Sequence, residues 1–88
     1  KVAIIGGGVV GVAIGIKVFE AFHGASVTIF EKEDNLGLHA SSRNSGVLHS
    51  GLYYSSESLK AKFSKDGNLQ LRKFIRSKGL PLIQTGKL

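Results

Sequence analysis

Residues 1–11, KVAIIGGGVVG, constrain this chain more than any other stretch. VAII (2–5) is a short, unbroken apolar run rich in β-branched residues, the pattern of a parallel strand covered on both faces. Glycines follow at once as Gly6-x-Gly8-x-x-Gly11. Beyond them Val10, Ala13, Ile14, Lys17, Val18, Ala21 and Phe22 recur in three-four steps, which predicts a helix over 9–23 with Gly24 as its C-terminal stop. SVTIFE (26–31) reads as a second β-branched strand. Strand, helix, strand within about thirty residues is a βαβ unit, whose crossover is almost always right-handed.

In that setting the glycine spacing has a physical meaning. Gly6 permits a tight turn off the strand, Gly8 leaves room for a pyrophosphate, and Gly11 lets the helix pack close to the sheet. The free amides and positive dipole end of the helix then face the phosphates. Glu31 ends the second strand about twenty residues after Gly11, where a carboxylate can accept hydrogen bonds from a ribose diol. The expectation is an α/β, Rossmann-like dinucleotide unit. NAD and FAD share the adenosine diphosphate that this motif reads, so it does not separate them.

Composition narrows the class. The 88 residues suit one small domain with a modest core, and 12 glycines are about twice the usual share. With no cysteine, disulfides and thiolate metal sites are excluded, and no metal is expected. The net charge of +6 raises the question of nucleic acid. Its carriers, however, cluster as Lys60, Lys62, Lys65, Arg72, Lys73, Arg76 and Lys78, mostly opposite Leu59, Phe63, Leu71, Phe74 and Ile75 on a helical wheel. That is a solvated helix face without a stacking platform, so nucleic acid is not an expected partner. The uncharged run Val2–Ile16 after Lys1 is broken by three glycines and is shorter than the roughly 20 residues of a membrane span, so it reads as neither signal peptide nor anchor.

After Glu31 regularity stops. Residues 32–57 form a long polar loop with a helical turn near 41–45. SLKAKFSKDGNLQLRKFIRSKG (58–79) returns to helical period, with Ser58 as N-cap and Gly79 as C-cap. Gly67 weakens its interior, Pro81 blocks continuation, and LIQTGKL (82–88) starts something strand-like. Two parallel strands leave exposed edges and an uncovered sheet face, so the chain reads as the N-terminal fragment of a longer protein, with the remainder of that protein as its natural partner. Self-association of the fragment is the corollary.

Within the loop, RNSGVLHSGLYY (43–54) mixes an arginine, an asparagine and a histidine with small residues and two tyrosines. Ser41, Ser42, Arg43, Asn44 and Ser45 offer hydroxyl, amide and guanidinium donors suited to a pyrophosphate or polyhydroxyl chain. VLHSG puts an imidazole among residues small enough for a planar ring to lie close, which is more consistent with a flavin than a nicotinamide. GGGVVGVAIGI, VTIFEKED, RNSGVLHSGLYY, SLKAKF and GKL together, across essentially the whole chain, resemble the L-2-hydroxyglutarate dehydrogenase/oxidase family, FAD-dependent oxidoreductases similar to D-amino-acid oxidase.

The resemblance implies FAD held by Gly6, Gly8, Gly11 and Glu31, with Ser42, Arg43, Asn44 and Ser45 running past the pyrophosphate towards the flavin. Lys32, beside Glu31 and expected to be exposed, is counted with this cofactor-side group without implying a 2′-phosphate, since FAD has none. It also implies that His49 lies near the isoalloxazine ring, as a general base or a flavin-tuning group. The implied reaction oxidises the C2 alcohol of a small 2-hydroxy acid to a ketone; the electron acceptor stays unassigned. The alternatives are a related amino-acid or glycerol-3-phosphate oxidoreductase or, for the isolated chain, a non-catalytic nucleotide-binding module. Two positions depart from the family pattern: Arg43 stands where histidine is frequent and Ser64 where cysteine is frequent. His23 and His39 read as surface residues, and Tyr53 and Tyr54 as half-buried anchors. The expected location is cytoplasmic or peripheral to the inner membrane, the mitochondrial one in a eukaryote.

Overall fold

The four apolar or periodic segments fold as four elements: β1 (Val2–Ile5), α1 (Val9–Ala21), β2 (Val27–Phe30) and α2 (Leu59–Ser77). The structure is a computed structural model and describes residues 1–86. It divides into two units, Lys1–Gly46 and the segment from Val47 onward.

In the first unit β1 and β2 pair in parallel, in the register Val2↔Val27, Ala3↔Thr28, Ile4↔Ile29 and Ile5↔Phe30. Val2 N–H donates to Ser26 O and Gly6 N–H to Phe30 O, both at 2.8 Å, and these bonds extend the ladder at either end. α1 lies on the face of Ile4, Val27 and Ile29. It crosses them at the buried Gly15, where a Cβ would stand 3.3 Å from Ile4 Cδ1, 3.6 Å from Val27 Cγ1 and 3.7 Å from Ile29 Cδ1. The opposite face carries Ala3, Ile5, Thr28 and Phe30, and no helix of this unit covers it; Ile5 is 84% exposed. The uncovered sheet face expected of two parallel strands alone is therefore present, and this unit covers only one of the two faces that the apolar run of β1 is patterned to bury. A modest core was expected as well, yet no hydrophobic residue among those described is fully buried.

α1 stops two residues earlier than its periodicity suggests. Phe22 adopts an extended conformation at the cap while its N–H still bonds Val18 O, and Gly24 (φ +81) turns the chain into β2 instead of ending the helix. β2 is shorter than 26–31 by a residue at each end. The helical turn expected near 41–45 falls slightly earlier, closed by Ser42 N–H to His39 O at 3.0 Å and Arg43 N–H to Ala40 O at 3.3 Å.

In the second unit both predicted caps of α2 form. Ser58 Oγ accepts the Ala61 N–H at 3.1 Å. At the other end Gly79 (φ +65) donates to Arg76 O at 3.1 Å and Leu80 N–H to Ile75 O at 3.0 Å, the paired bonds of a Schellman motif. The half-buried stripe of α2 is Ala61, Ser64, Asn68, Arg72 and Ile75, while Leu59, Phe63, Leu71 and Phe74 stay exposed. Residues 81–86 form no strand, and Lys87 and Leu88 of the strand-like 82–88 segment lie outside the described residues. Among the described residues no helix is long and apolar enough to cross a membrane.

Candidate functional site

Three glycines set the shape of the loop between β1 and α1. Gly6 takes φ +100, a left-handed value that side chains disfavour, and so turns the chain off the strand. A Cβ on Gly11 would collide with the Gly6 carbonyl and come within 3.3 Å of Ile4 Cγ2, so the first turn of α1 can sit this close to β1 only with glycine there. A Cβ on Gly8 would reach to 3.1 Å from Ser41 Oγ. These are the places where a dinucleotide unit requires missing side chains, and the cradle fits a diphosphate.

The amides of this loop are partly committed. The Gly7 N–H donates to Glu31 Oε2 at 2.7 Å and the Val9 N–H to Ser41 Oγ at 2.8 Å. The i−4 acceptor that Gly11 would use is Gly7 O, which instead accepts the Gly37 N–H at 3.0 Å. The first turn of α1 therefore keeps donors without intrahelical partners, next to the cradle.

Glu31 is the organising carboxylate. Besides Gly7, it accepts the Glu33 N–H on Oε1 at 3.1 Å. Donation from the amides of Glu33 and Gly7, and less from that of Lys32 and the charge of His39, holds its pKa below the ordinary 4.5 against an opposing contribution from burial. A carboxylate offers about four lone-pair positions, so beyond these amides it keeps acceptor capacity for a hydroxyl donor. Gly8, Glu31, Gly37, Leu38, His39, Ala40 and Ser41 line a cleft of about 190 Å³.

Of the residues singled out by sequence, Gly6, Gly8, Gly11 and Glu31 are thus brought together, and Gly8 and Glu31 line the cleft. Lys32 is not drawn in: its side chain is 78% exposed, with Nζ 4.0 Å from Glu33 Oε1. Ser42, Arg43, Asn44 and Ser45 sit on the exposed turn after the cleft wall. Ser42 Oγ donates to His39 O at 3.3 Å, and Asn44 Nδ2 donates to Ala40 O and Ser41 O, both at 3.0 Å. Asn44 Oδ1 accepts the Gly46 N–H at 2.8 Å, so this side chain shapes the turn. His49 belongs to the second unit and is exposed, with its carbonyl accepting from Asn68 Nδ2 at 3.0 Å.

Two cleft residues carry little sequence signal of their place. Ser41 is one hydroxyl among several, and no local pattern joins it to Val9, 32 positions away. His39 is exposed as expected, yet it walls the cleft and its Nε2 lies 2.9 Å from Glu33 Oε1. Tyr53 requires a correction: it is 69% exposed rather than half-buried, whereas Tyr54 is 37% exposed and carries the Lys60 ammonium 4.4 Å above its ring. No group of three or more potential metal ligands comes together among the described residues.

Comparison with known proteins matches residues 1–88 to the family described as FAD dependent oxidoreductase. The chain is 43% identical over 88 residues to an L-2-hydroxyglutarate dehydrogenase of Indibacter alkaliphilus, covering 100% of this chain and 22% of that protein. It is 44% identical over 84 residues to the mitochondrial L-2-hydroxyglutarate dehydrogenase of Mus musculus (96% and 18%) and 35% identical over 85 residues to the L-2-hydroxyglutarate dehydrogenase of Escherichia coli strain K12 (97% and 20%). The chain spans about a fifth of the length of these relatives.

Proposed function

The chain belongs to the FAD-dependent oxidoreductase family, and from that premise we propose that it is the FAD-binding portion of an enzyme oxidising a small 2-hydroxy acid of the L-2-hydroxyglutarate kind. The observation that carries the binding half of this reading is the cradle itself: a glycine turn that admits no Cβ at Gly11, beside a cleft lined by Gly8 and Glu31.

In this reading the first-turn amides of α1 face the diphosphate of FAD, and the remaining acceptor capacity of Glu31 serves the ribose diol. Ser42, Arg43, Asn44 and Ser45 continue along the cofactor, with Arg43 supplying a permanent cation. Lys32 contributes only a screened charge at the rim. When bound, FAD supplies a flavin that accepts the hydride leaving C2 of the hydroxy acid. His49 handles the proton of the C2 hydroxyl or tunes the flavin, and the remainder of the protein supplies the substrate pocket.

Arg43 leaves more than one substrate class to test, because a fixed positive charge favours anionic substrates of more than one kind. The test is anaerobic mixing of the full-length flavoprotein with L-2-hydroxyglutarate, D-amino acids and glycerol 3-phosphate. L-2-hydroxyglutarate is expected to bleach the flavin band fastest. Faster bleaching by an amino acid or by glycerol 3-phosphate would reassign the substrate and leave the cofactor reading standing.

A further inference from the structure

The half-buried stripe of α2 includes the polar residues Ser64 and Asn68, and both meet the loop that precedes the helix. Asn68 Nδ2 donates to the main-chain carbonyl of His49 at 3.0 Å, across 19 positions of sequence. One turn earlier, and therefore on the same helix face, Ser64 lies against Gly51. A Cβ on Gly51 would fall 2.8 Å from Ser64 Cβ, and Gly51 takes φ +77, so glycine is required there twice over. The main chain is thus held at residue 49 and again at residue 51.

That arrangement matters because His49 is exposed, and packing of its ring does not fix its direction. A loop histidine in water samples several rotamers on a mobile backbone. Holding the His49 carbonyl and the chain two residues further on restrains the Cα–Cβ vector, on which the side chain then chooses among staggered rotamers. Asparagine is also a poorer helix former than alanine, so the amide at 68 earns its place through the bond it makes to the loop.

We propose that Asn68 is a positioning residue for His49: its amide, together with the Gly51–Ser64 contact, sets the direction from which the imidazole serves the flavin-dependent oxidation. This rests on the reading of His49 given above.

The experiment uses the full-length flavoprotein and four variants, Asn68→Asp, Asn68→Ala, His49→Ala and the double variant His49→Ala/Asn68→Ala, with Gln70→Ala on the exposed side of α2 as control. Asn68→Asp keeps the volume but replaces the donor with a carboxylate, so it separates the hydrogen bond from packing. With FAD content unchanged, the limiting rate of flavin reduction by L-2-hydroxyglutarate is expected to fall about tenfold or more in both single Asn68 variants, while substrate affinity stays within about twofold. In the His49→Ala background, Asn68→Ala is expected to add no further loss, because the two act through one group.

A wild-type rate in Asn68→Asp overturns the proposal. So does an Asn68→Ala loss that is just as large without the imidazole, or a His49→Ala enzyme that reduces its flavin normally. A full-length protein without flavin would instead sink the functional reading, and the clamp is then read directly from the His49 imidazole resonances. Asn68→Asp is expected to move them and Gln70→Ala to leave them; unmoved resonances in Asn68→Asp overturn the clamp.

Discussion

At the scale of single residues, Glu31 carries the tightest prediction. Its folded pKa is depressed, chiefly by the amides of Glu33 and Gly7, so the ionised form is the one that the fold favours. The stability it contributes is therefore fully present above the ordinary value of 4.5 and is lost as pH falls through the lowered one. The Gly7 amide resonance should report this directly, titrating with a midpoint below 4.5, whereas a midpoint at or above that value would contradict the bracket between Glu31 and Gly7. Gly11 makes the complementary case. Gly11→Ala pushes a methyl into the Gly6 carbonyl, and overpacking of this kind costs about 1–3 kcal/mol. The expected readout is a Kd for FAD raised about tenfold or more in the full-length protein, since α1 must back away from β1 to make room.

At the scale of elements, the prediction concerns α2. Gly67 sits in its interior with nothing within 4 Å of a built Cβ, so Gly67→Ala should increase the helical signal in circular dichroism, by about 1 kcal/mol in helix stability. A decrease would mean that Gly67 is needed for a contact made by this chain. The elements were also what the sequence showed best. β1, α1, β2 and both caps of α2 follow from β-branched runs, three-four spacing, Ser58 and Gly79, all of which act within a few residues of themselves. Legibility ended where two distant segments meet. Nothing near Ser41 announces that its hydroxyl caps Val9, and nothing near Asn68 announces the His49 carbonyl. The same reason explains the misread Tyr53: whether it is covered depends on neighbours far along the chain.

At the scale of the whole molecule, large apolar side chains remain exposed on both helices and on one sheet face, Phe19 and Phe63 among them, and the described residues enclose no fully buried hydrophobic core. Patches of this kind seek a partner. The isolated chain is accordingly expected to self-associate at high concentration, and light scattering that shows a stable monomer would count against this. In the intact protein we expect those faces to be covered by the remainder of the polypeptide, of which this chain represents about a fifth if its length follows the relatives. Whether the glycine turn and Glu31 form the cradle for FAD is tested most directly by the amount of FAD bound per chain in the purified full-length protein, read from the flavin absorbance. The expected result is a yellow protein carrying about one FAD per chain. A colourless protein that cannot be reconstituted with FAD would contradict it.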